Sequence, residues 1–290
     1  MLIIHNYLYF YATILYKHYI SEKNMLKALF VSMLMLSSIL FAKDVLIFAP
    51  LPMVDKNKTY DTFYPMIQTL EKRLNKKIEI FYSDSYEQIL EEFKKSKIDI
   101  AYLGPLPYVK LKESYDYAYP LVHFKDQSGS SFYTCSFVKF IDNKKIEKIA
   151  LTQPLSTCGY LSVNSLLNNK LEDYKYKYLG KHDEVALSVL RGDFDAGGLK
   201  TSVAKEYFHL GLEEISKTQN LPGFALIGNS NTLSIEYLEE IRKVLIQIEK
   251  ETYSKWDKDI KYGVEPAFDK DYETLVKMMK NVQIQTKDKN

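Results

Sequence analysis

The chain has 290 residues, of which 46% are hydrophobic and 26% are charged. This is the composition of an ordinary globular protein with one large or two modest domains, and it excludes disordered, collagen-like and coiled-coil proteins. Residues 1–42 hold three lysines and one glutamate, so the formal net charge of +2 belongs to that segment and the remainder is neutral. A neutral body argues against nucleic-acid binding. With only three arginines and two cysteines, arginine-based anion recognition, a disulfide-rich scaffold and a zinc–cysteine site are disfavoured.

The segment 25–42 has the layout of a secretory signal peptide, with Lys27 at its front, an apolar run, and the small residue Ala42 at its end. Because the run is shorter than the ~20 residues that span a bilayer, we expect cleavage after Ala42; an uncleaved anchor is the alternative. Residues 1–24 precede a complete signal with its own Met25, and reflect either an upstream choice of start site or a second membrane segment. We therefore expect a soluble body that is exported to the periplasm.

Strand and helix patterns alternate from residue 44 onward. The first set has strands at 45–49, 77–82 and 98–103. Its three helices are one at 59–75, one that begins after an N-cap at Ser85 and one that begins at Pro105. This β-α-β-α-β order implies a mainly parallel sheet that is covered by helices on both faces.

The pattern becomes less regular at 117–140, where two strand-like runs flank a loop at 125–131, and then it restarts. The second set comprises strands at 149–152, 176–179, 194–199 and 224–227, and helices at 157–167, 182–190, 234–250 and 269–282. We therefore predict an α/β fold of two lobes, each a mainly parallel sheet flanked by helices. Lobe I comprises 43–126 with 221–290 and lobe II comprises 127–220, with a cleft at the carboxyl ends of the strands.

Six segments together resemble one family: FAPLPM, SDSYEQILEEFKKSKIDIAYLGPLPYV, GSSFYTCSF, TQPLSTCGYLSVNSLL, GKHDEVALSVLRGDFDAG and LPGFALIGNS. In this order they are similar to the periplasmic solute-binding proteins of phosphonate- and phosphite-type ABC importers, over nearly all of 44–250. The resemblance implies a type II periplasmic binding fold in which two lobes close on a ligand, without catalysis or cofactor. It implies as partners a small oxyanion and a membrane permease, and we expect a monomer.

Ser156 and Thr157 lie where the helix predicted at 157–167 begins. An oxyanion needs hydrogen-bond donors, and a helix start supplies free backbone N–H groups and a favourable dipole, to which the two hydroxyls would add. Plain N-capping by either residue is the alternative explanation. The family segments in register favour the anion site.

Three tyrosines are candidate ligand contacts. Tyr102 ends a predicted strand just before Gly104, so its phenol can donate to an anion from lobe I. In the resembled family Tyr86 matches a ligand-facing aromatic position, and Tyr133 aligns with another. The chain contains 24 tyrosines, so a packing role is the alternative for each.

Four residues of the second lobe complete the predicted site. The family places a ligand-facing histidine at His182, whose imidazole can donate whether neutral or protonated; a capping or surface role is the alternative. Asp195 is expected to orient donors, since two negative groups repel each other. Aminophosphonate binders of the family commonly carry an acidic residue where this chain has Lys200 and Thr201. A lysine repels an ammonium group, so we expect a small or fully anionic ligand.

The two cysteines, Cys135 and Cys158, have three possible states. A disulfide is the ordinary state in an exported protein. Two free thiols are the second possibility. The third is a thiolate site for a soft oxyanion such as arsenite, because the thiol pKa of Cys158 would be lowered at a helix N-terminus, and the chain resembles arsenite-sensing binding proteins of the same superfamily.

Three functions remain open at this point. The favoured one is an importer's periplasmic receptor for a phosphonate, phosphite or phosphate ligand. A sensory binding protein that reports an oxyanion to a membrane histidine kinase needs the same closing cleft. An exported enzyme is disfavoured because the chain has no G-x-S-x-G, H-E-x-x-H or P-loop motif, and a pairing of Cys158 with His182 lacks a third orienting group.

Overall fold

The computed structural model describes residues 44–52, 56–83 and 85–290. The predicted leader at 1–42 lies outside the described residues, so its cleavage stays a prediction. Within the described ranges, no helix combines the length and the apolar character needed to cross a membrane.

Strands and helices alternate along the described part of the chain. The strands are β1 Val45–Pro50, β2 Lys77–Ile80, β3 Ile100–Leu103, β4 Ala118–Phe124, β5 Phe132–Tyr133, β6 Cys135–Phe140, β7 Lys148–Thr152, β8 Lys175–Gly180, β9 Ala196–Lys200, β10 Leu212–Lys217, β11 Leu221–Pro222, β12 Ala225–Asn229 and β13 Val264–Pro266. The helices are α1 Lys56–Leu74, α2 Tyr86–Lys94, α3 Pro105–Lys112, α4 Tyr160–Leu166, α5 His182–Leu190, α6 Thr201–Tyr207, α7 Ile235–Ile246, α8 Lys250–Tyr253 and α9 Glu273–Met279. Short 3-10 turns occur at Leu171–Asp173, Phe208–Leu210 and Asp269–Tyr272.

Lobe I is built on a six-stranded sheet with the strand order β13-β4-β12-β3-β1-β2. Successive residues of β1 serve opposite faces, as the two-residue period of a strand requires. Phe48 packs in the cluster that contains Phe63 of α1, whereas Ala49 packs in the cluster that contains Phe93 of α2. Both faces of the sheet are therefore covered, which explains the nearly continuous apolar sequence of β1.

Lobe II is built on a five-stranded sheet with the order β10-β6-β9-β7-β8. Here Ile149 and Leu151 of β7 pack with Val163 of α4, while Ala150 between them packs with Val185 of α5. The two lobes thus share one architecture, a sheet between two helical layers.

The predicted two-lobed α/β class is confirmed, but both sheets are mixed and not mainly parallel. β1 is parallel to β2 and β3, and β7 is parallel to β8 and β9, as the β-α-β pattern predicts. β12 and β6 are antiparallel to their neighbours. Each of these two strands follows a crossing between the lobes and enters its sheet from the cleft side, where the parallel strands end. The alternation of strands and helices in the sequence does not reveal the direction in which β12 and β6 enter their sheets.

The two crossings lie side by side and form a hinge ribbon. β5 and β11 pair antiparallel, with Tyr133 opposite Leu221. Just beyond, the Cys135 carbonyl accepts from the Thr218 backbone N–H at 2.9 Å, and the Cys135 N–H donates to Thr218 Oγ1 at 3.0 Å. The limits predicted for independently moving lobes, near 126 and 220, stay a prediction.

The carboxyl-terminal segment returns to lobe II. Val282 and Ile284 pack against buried clusters of both lobes. Tyr176 and Lys289 exchange two backbone hydrogen bonds of 2.9 Å, and the Asp288 carboxylate accepts from the Tyr178 N–H at 2.9 Å. This segment therefore covers the edge strand β8 and links the two sheets a third time.

Some helix limits differ from the predictions. α4 begins at Tyr160, three residues later than predicted, because the chain first makes a tight turn that ends at Gly159. A Cβ at Gly159 would stand 2.8 Å from the Gln153 carbonyl oxygen, so the turn needs glycine there. The helix predicted at 234–250 is interrupted between α7 and α8, where Ile248 turns into the buried cluster of lobe I.

Candidate functional site

The carboxyl ends of the parallel strands meet where the two lobes touch. β3 of lobe I leads through Gly104 into α3, and β7 of lobe II leads into the turn before α4. The Leu106 backbone N–H in the first turn of α3 donates to Thr157 Oγ1 of lobe II at 3.2 Å. This buried hydrogen bond joins the two lobes directly, and the predicted site residues gather around it.

Tyr102 of lobe I lies in an aromatic cluster and is only 2% exposed. Its ring stacks on Phe224 with centroids 5.1 Å apart, and meets Phe63 and Phe124 edge-on at 5.0 and 5.5 Å. Burial raises the pKa of Tyr102 well above its usual range, so the phenol keeps its proton and can donate. No described residue forms a hydrogen bond with its hydroxyl, which leaves that donor for a ligand.

Tyr86 and Tyr133 lie near Tyr102. Ser85 caps α2, with its hydroxyl accepting from the Gln88 N–H at 3.2 Å, and this places Tyr86 at the first position of the helix. Burial raises the pKa of Tyr86 and of Tyr133, and the nearby Tyr86 and Tyr133 phenols add to the larger effect of burial on the pKa of Tyr102. The predicted tyrosines thus form one group of neutral donors at the cleft.

The turn before α4 presents Ser156 and Thr157. It is closed by hydrogen bonds from the Ser156 N–H to the Gln153 carbonyl, 2.9 Å, and from the Gly159 N–H to the Ser156 carbonyl, 3.0 Å. Gly159 is the N-cap of α4 and no side chain caps the helix, so N-capping does not account for either hydroxyl. The Thr157 hydroxyl lowers the pKa of the Tyr133 phenol against the larger effect of burial, which places the turn beside the tyrosines.

His182 and Lys200 form the polar centre of the lobe II wall. The Lys200 backbone N–H donates to His182 Nδ1 at 3.1 Å, so in the neutral ring Nε2 carries the proton and is a donor. Burial, together with the charge of Lys200, lowers the pKa of His182 to about 4, while Asp183 acts in the opposite direction. The Lys200 ammonium lies 5.3 Å from the Tyr133 ring centroid. Burial lowers the pKa of Lys200, against the opposing effect of Asp259 and Asp126.

Thr201 is already engaged by protein groups. Its Oγ1 is 2.7 Å from both Thr134 Oγ1 and Ser136 Oγ, and Ser136 donates in turn to a Glu214 carboxylate at 2.5 Å. Its backbone N–H donates to the Thr134 carbonyl at 2.9 Å. These bonds fix the end of β9 and the start of α6, so Thr201 supports Lys200, and a direct contact of Thr201 with a ligand stays a prediction.

The structure corrects the role predicted for Asp195. Its carboxylate accepts from the backbone N–H groups of Glu147 and Lys148 at 2.9 and 2.8 Å. Burial opposes ionisation, but these hydrogen bonds keep its pKa below the usual range. Asp195 precedes β9 and Lys200 ends it, which separates them by about 16 Å along the strand. Asp195 therefore holds the loop between β6 and β7 and orients no donor at the cleft.

The prediction that Cys158 binds a ligand through its thiolate is also wrong in this structure. Cys135 and Cys158 form a disulfide with Cα atoms 5.1 Å apart. Both residues are at most 2% exposed. The disulfide alternative is confirmed, and a thiolate site for arsenite has no free thiol on which to form.

Sequence reasoning missed three contributors. The Leu106 backbone N–H has no side-chain signal. Phe224 stacks on Tyr102 and limits the room at Gly104, where a Cβ would stand 3.2 Å from its ring. Thr152 ends β7 with a buried hydroxyl that has no hydrogen-bond partner among the described residues. Its position at the carboxyl end of a parallel strand was the signal that could have identified it.

The fold and the site define a two-lobed ligand-binding protein whose cleft offers neutral hydroxyl and imidazole donors and one lysine. A family model described as "ABC transporter, phosphonate, periplasmic substrate-binding protein" matches residues 48–272. The chain belongs to this family. Its members are binding proteins, so the predicted class, a periplasmic binding component of an ABC transporter and not an enzyme, is confirmed.

Individual relatives agree with this assignment. The phosphate-import protein PhnD of Mycolicibacterium smegmatis is 24% identical over 271 residues, which are 79% of this chain and 83% of that protein. PhnD1 of Prochlorococcus marinus in complex with methylphosphonate superimposes with a TM-score of 0.66 at 16% identity, covering 82% of this chain and 97% of that one. A binding component of an ABC phosphonate transporter from Pseudomonas aeruginosa gives 0.65 at 17% identity, with 82% and 86% covered. These two structures support the fold.

Proposed function

We propose that this chain captures a small phosphorus oxyanion, of the phosphonate, phosphite or phosphate class, and delivers it to an ABC importer. The observation that carries the proposal is the lobe II wall. There the Lys200 N–H orients His182, whose Nε2–H has no partner among the described residues, and the Lys200 ammonium and the Thr157 turn lie beside Tyr133 of the hinge ribbon. A tetrahedral oxyanion accepts hydrogen bonds on several sides, and donors from both lobes allow closure around it. The phosphate and methylphosphonate of the relatives belong to this chemical class.

The charge of the site suits a ligand without an ammonium group. Lys200 is a cation, whereas the low pKa of His182 and the high pKa values of Tyr86 and Tyr102 keep these three groups neutral near pH 7. A partly buried lysine stabilises an anion and repels a cationic substituent. We therefore propose selectivity for fully anionic ligands over aminoalkyl phosphonates.

Calorimetric titration tests both statements. Methylphosphonate, phosphite and phosphate are compared with 2-aminoethylphosphonate, and sulfate serves as the control oxyanion. We expect at least one of the first three to bind, with 2-aminoethylphosphonate at least tenfold weaker. A ligand at 100 times its Kd should also stabilise the fold by about 2.7 kcal/mol in thermal unfolding. Tight binding of 2-aminoethylphosphonate alone would contradict the role given to Lys200, and binding of none of the four phosphorus compounds would contradict the ligand class.

We further propose that the protein reaches the periplasm by cleavage after Ala42 and acts there as a monomer. The layout of 25–42 supports the cleavage. Intact-mass measurement of the exported protein should give a chain that begins at Lys43. A mass that retains 25–42 would favour an anchored form.

A further inference from the structure

The disulfide lies where three parts of the candidate site meet. Cys158 directly follows Thr157 in the turn before α4. Cys135 is the partner of Lys200 in the pairing of β6 with β9. Cys135 is also bonded through its backbone to Thr218 in the chain crossing, in both directions. One covalent bond thus connects the Thr157 turn with the strand end that carries Lys200 and with the hinge ribbon.

The surroundings of the disulfide belong to both lobes. Cys135 and Cys158 are part of the same buried cluster as Leu103 and Leu106 of lobe I and Leu221 of the hinge ribbon. Leu106 is the residue whose N–H donates to Thr157. A shift of the turn would therefore change the contact between the lobes as well as the position of the Thr157 hydroxyl.

The hydrogen bonds of the turn to described residues are mostly local. Two backbone hydrogen bonds close it, and the Ser162 hydroxyl donates to the Thr157 carbonyl at 2.5 Å, all within residues 153–162. The bond from the Leu106 N–H to Thr157 Oγ1 reaches the turn from lobe I. The Cys158 carbonyl rests on β9, where a Cβ at Gly198 would stand 2.8 Å from its oxygen. The disulfide is the covalent link between this local turn and β6.

We propose that the Cys135–Cys158 disulfide is a positioning element of the binding site. It holds the Thr157 turn at a fixed distance from Lys200 and from the hinge ribbon, and neither cysteine contacts the ligand. Its effect on affinity rests on the proposed function, whereas its effect on the turn does not. Such positioning differs from the usual stabilisation of a fold by a cross-link, which acts largely on the unfolded chain.

The first measurement compares the effect of each variant on ligand affinity with its effect on thermal stability. The double variant Cys135→Ser with Cys158→Ser is compared with Ile149→Ala, which creates a cavity in the core of lobe II at the start of β7, the end remote from the cleft. Both should lower Tm. We expect the double variant to raise the Kd for methylphosphonate or inorganic phosphate at least tenfold, while Ile149→Ala changes it less than twofold. Equal changes of Kd in the two variants would overturn the proposal.

Amide hydrogen exchange is the second measurement and needs no ligand. The Gly159 N–H reports on the turn, and the Arg191 N–H, bonded to the Leu187 carbonyl at 2.9 Å, reports on lobe II elsewhere. We expect exchange at Gly159 to accelerate at least tenfold more than at Arg191 when the disulfide is removed. If the double variant does not fold, the same ratio is measured on the wild-type chain with and without a phosphine reductant.

The two measurements separate the two proposals. If the wild-type chain binds none of the tested oxyanions, the proposed function fails, and the exchange ratio still decides the positioning role. An unchanged ratio between Gly159 and Arg191 would overturn the positioning role whatever the ligand. Faster amide exchange at Gly159 with an unchanged Kd would show that the site tolerates a mobile turn. It would overturn the proposal that the disulfide affects affinity.

Discussion

The two walls of the cleft are built on different principles. The lobe I wall is aromatic: Tyr102 is held by the rings of Phe63, Phe124 and Phe224, and no hydrogen bond from a described residue positions its hydroxyl. The lobe II wall is positioned by hydrogen bonds, as His182 shows by accepting from the Lys200 backbone N–H. Packing therefore fixes the shape of one wall, and polar contacts fix the charge and donors of the other. Removing a packed ring from the lobe I wall should therefore change stability and affinity together, whereas removing the Lys200 charge from the lobe II wall should change mainly affinity.

The largest effect should come from removing the ring of Tyr102. Tyr102→Ala leaves a cavity among three aromatic side chains, so we expect a loss of about 3–5 kcal/mol in the free energy of unfolding, measured in urea. Tyr102→Phe keeps the ring and removes only the hydroxyl. It should leave stability within about 1 kcal/mol and weaken anion binding roughly tenfold, the equivalent of about 1.4 kcal/mol. If Tyr102→Phe binds as well as the wild type, the phenol contributes packing alone.

Lys200→Met tests the charge of the lobe II wall. The substitution keeps an unbranched side chain of similar length and removes the cation, so affinity for methylphosphonate or phosphate should fall by about 1.5–3 kcal/mol, as for a hydrogen bond to a charged group. Because burial disfavours the charged form of Lys200, the free energy of unfolding should stay unchanged or rise. Lys205→Met, an exposed lysine on α6, is the matched control and should affect neither quantity. A similar loss of affinity in both variants would point to general electrostatics in place of a specific contact.

Thr157→Val tests the hydrogen bond between the walls. Valine keeps the shape of threonine but leaves the Leu106 N–H without its acceptor, at a cost of about 1–3 kcal/mol while the two lobes are in contact. We expect this cost to appear as a lower ligand affinity of Thr157→Val in calorimetric titration. Thr157→Ser is the matched control, because it keeps a hydroxyl that can accept from the Leu106 N–H and should retain most of the affinity. Equal losses of affinity in Thr157→Val and Thr157→Ser would show that the bond between the walls carries no special weight.

The sequence predicted some features of both walls and missed others. Local signals were sufficient for the Ser85 cap and for α5, whose limits agree with the predicted helix at 182–190. The antiparallel entry of β12 depends on the path between the lobes, which no local pattern encodes. The Leu106 N–H is a backbone group and is invisible in a side-chain pattern. Asp195 was wrongly assigned to the site for a different reason. It lies before the amino end of β9, and the rule that ligands bind at the carboxyl ends of strands already excluded it.

A pH dependence also distinguishes the walls, because the phenols of lobe I do not titrate below pH 8 whereas His182 does. In the unfolded chain an imidazole takes up a proton near pH 6.5. In the folded chain burial and Lys200 lower the pKa of His182 to about 4, with Asp183 opposing them. Between these values the unfolded state binds more protons, so the free energy of unfolding should decrease as the pH falls from about 6.5 to about 4. In His182→Asn, the amide oxygen can still accept from the Lys200 N–H but the titrating group is gone. Urea unfolding of the two proteins at pH 7.5, 6 and 5 should therefore show a steeper loss for the wild type, and parallel curves would mean that His182 is solvated and has an ordinary pKa.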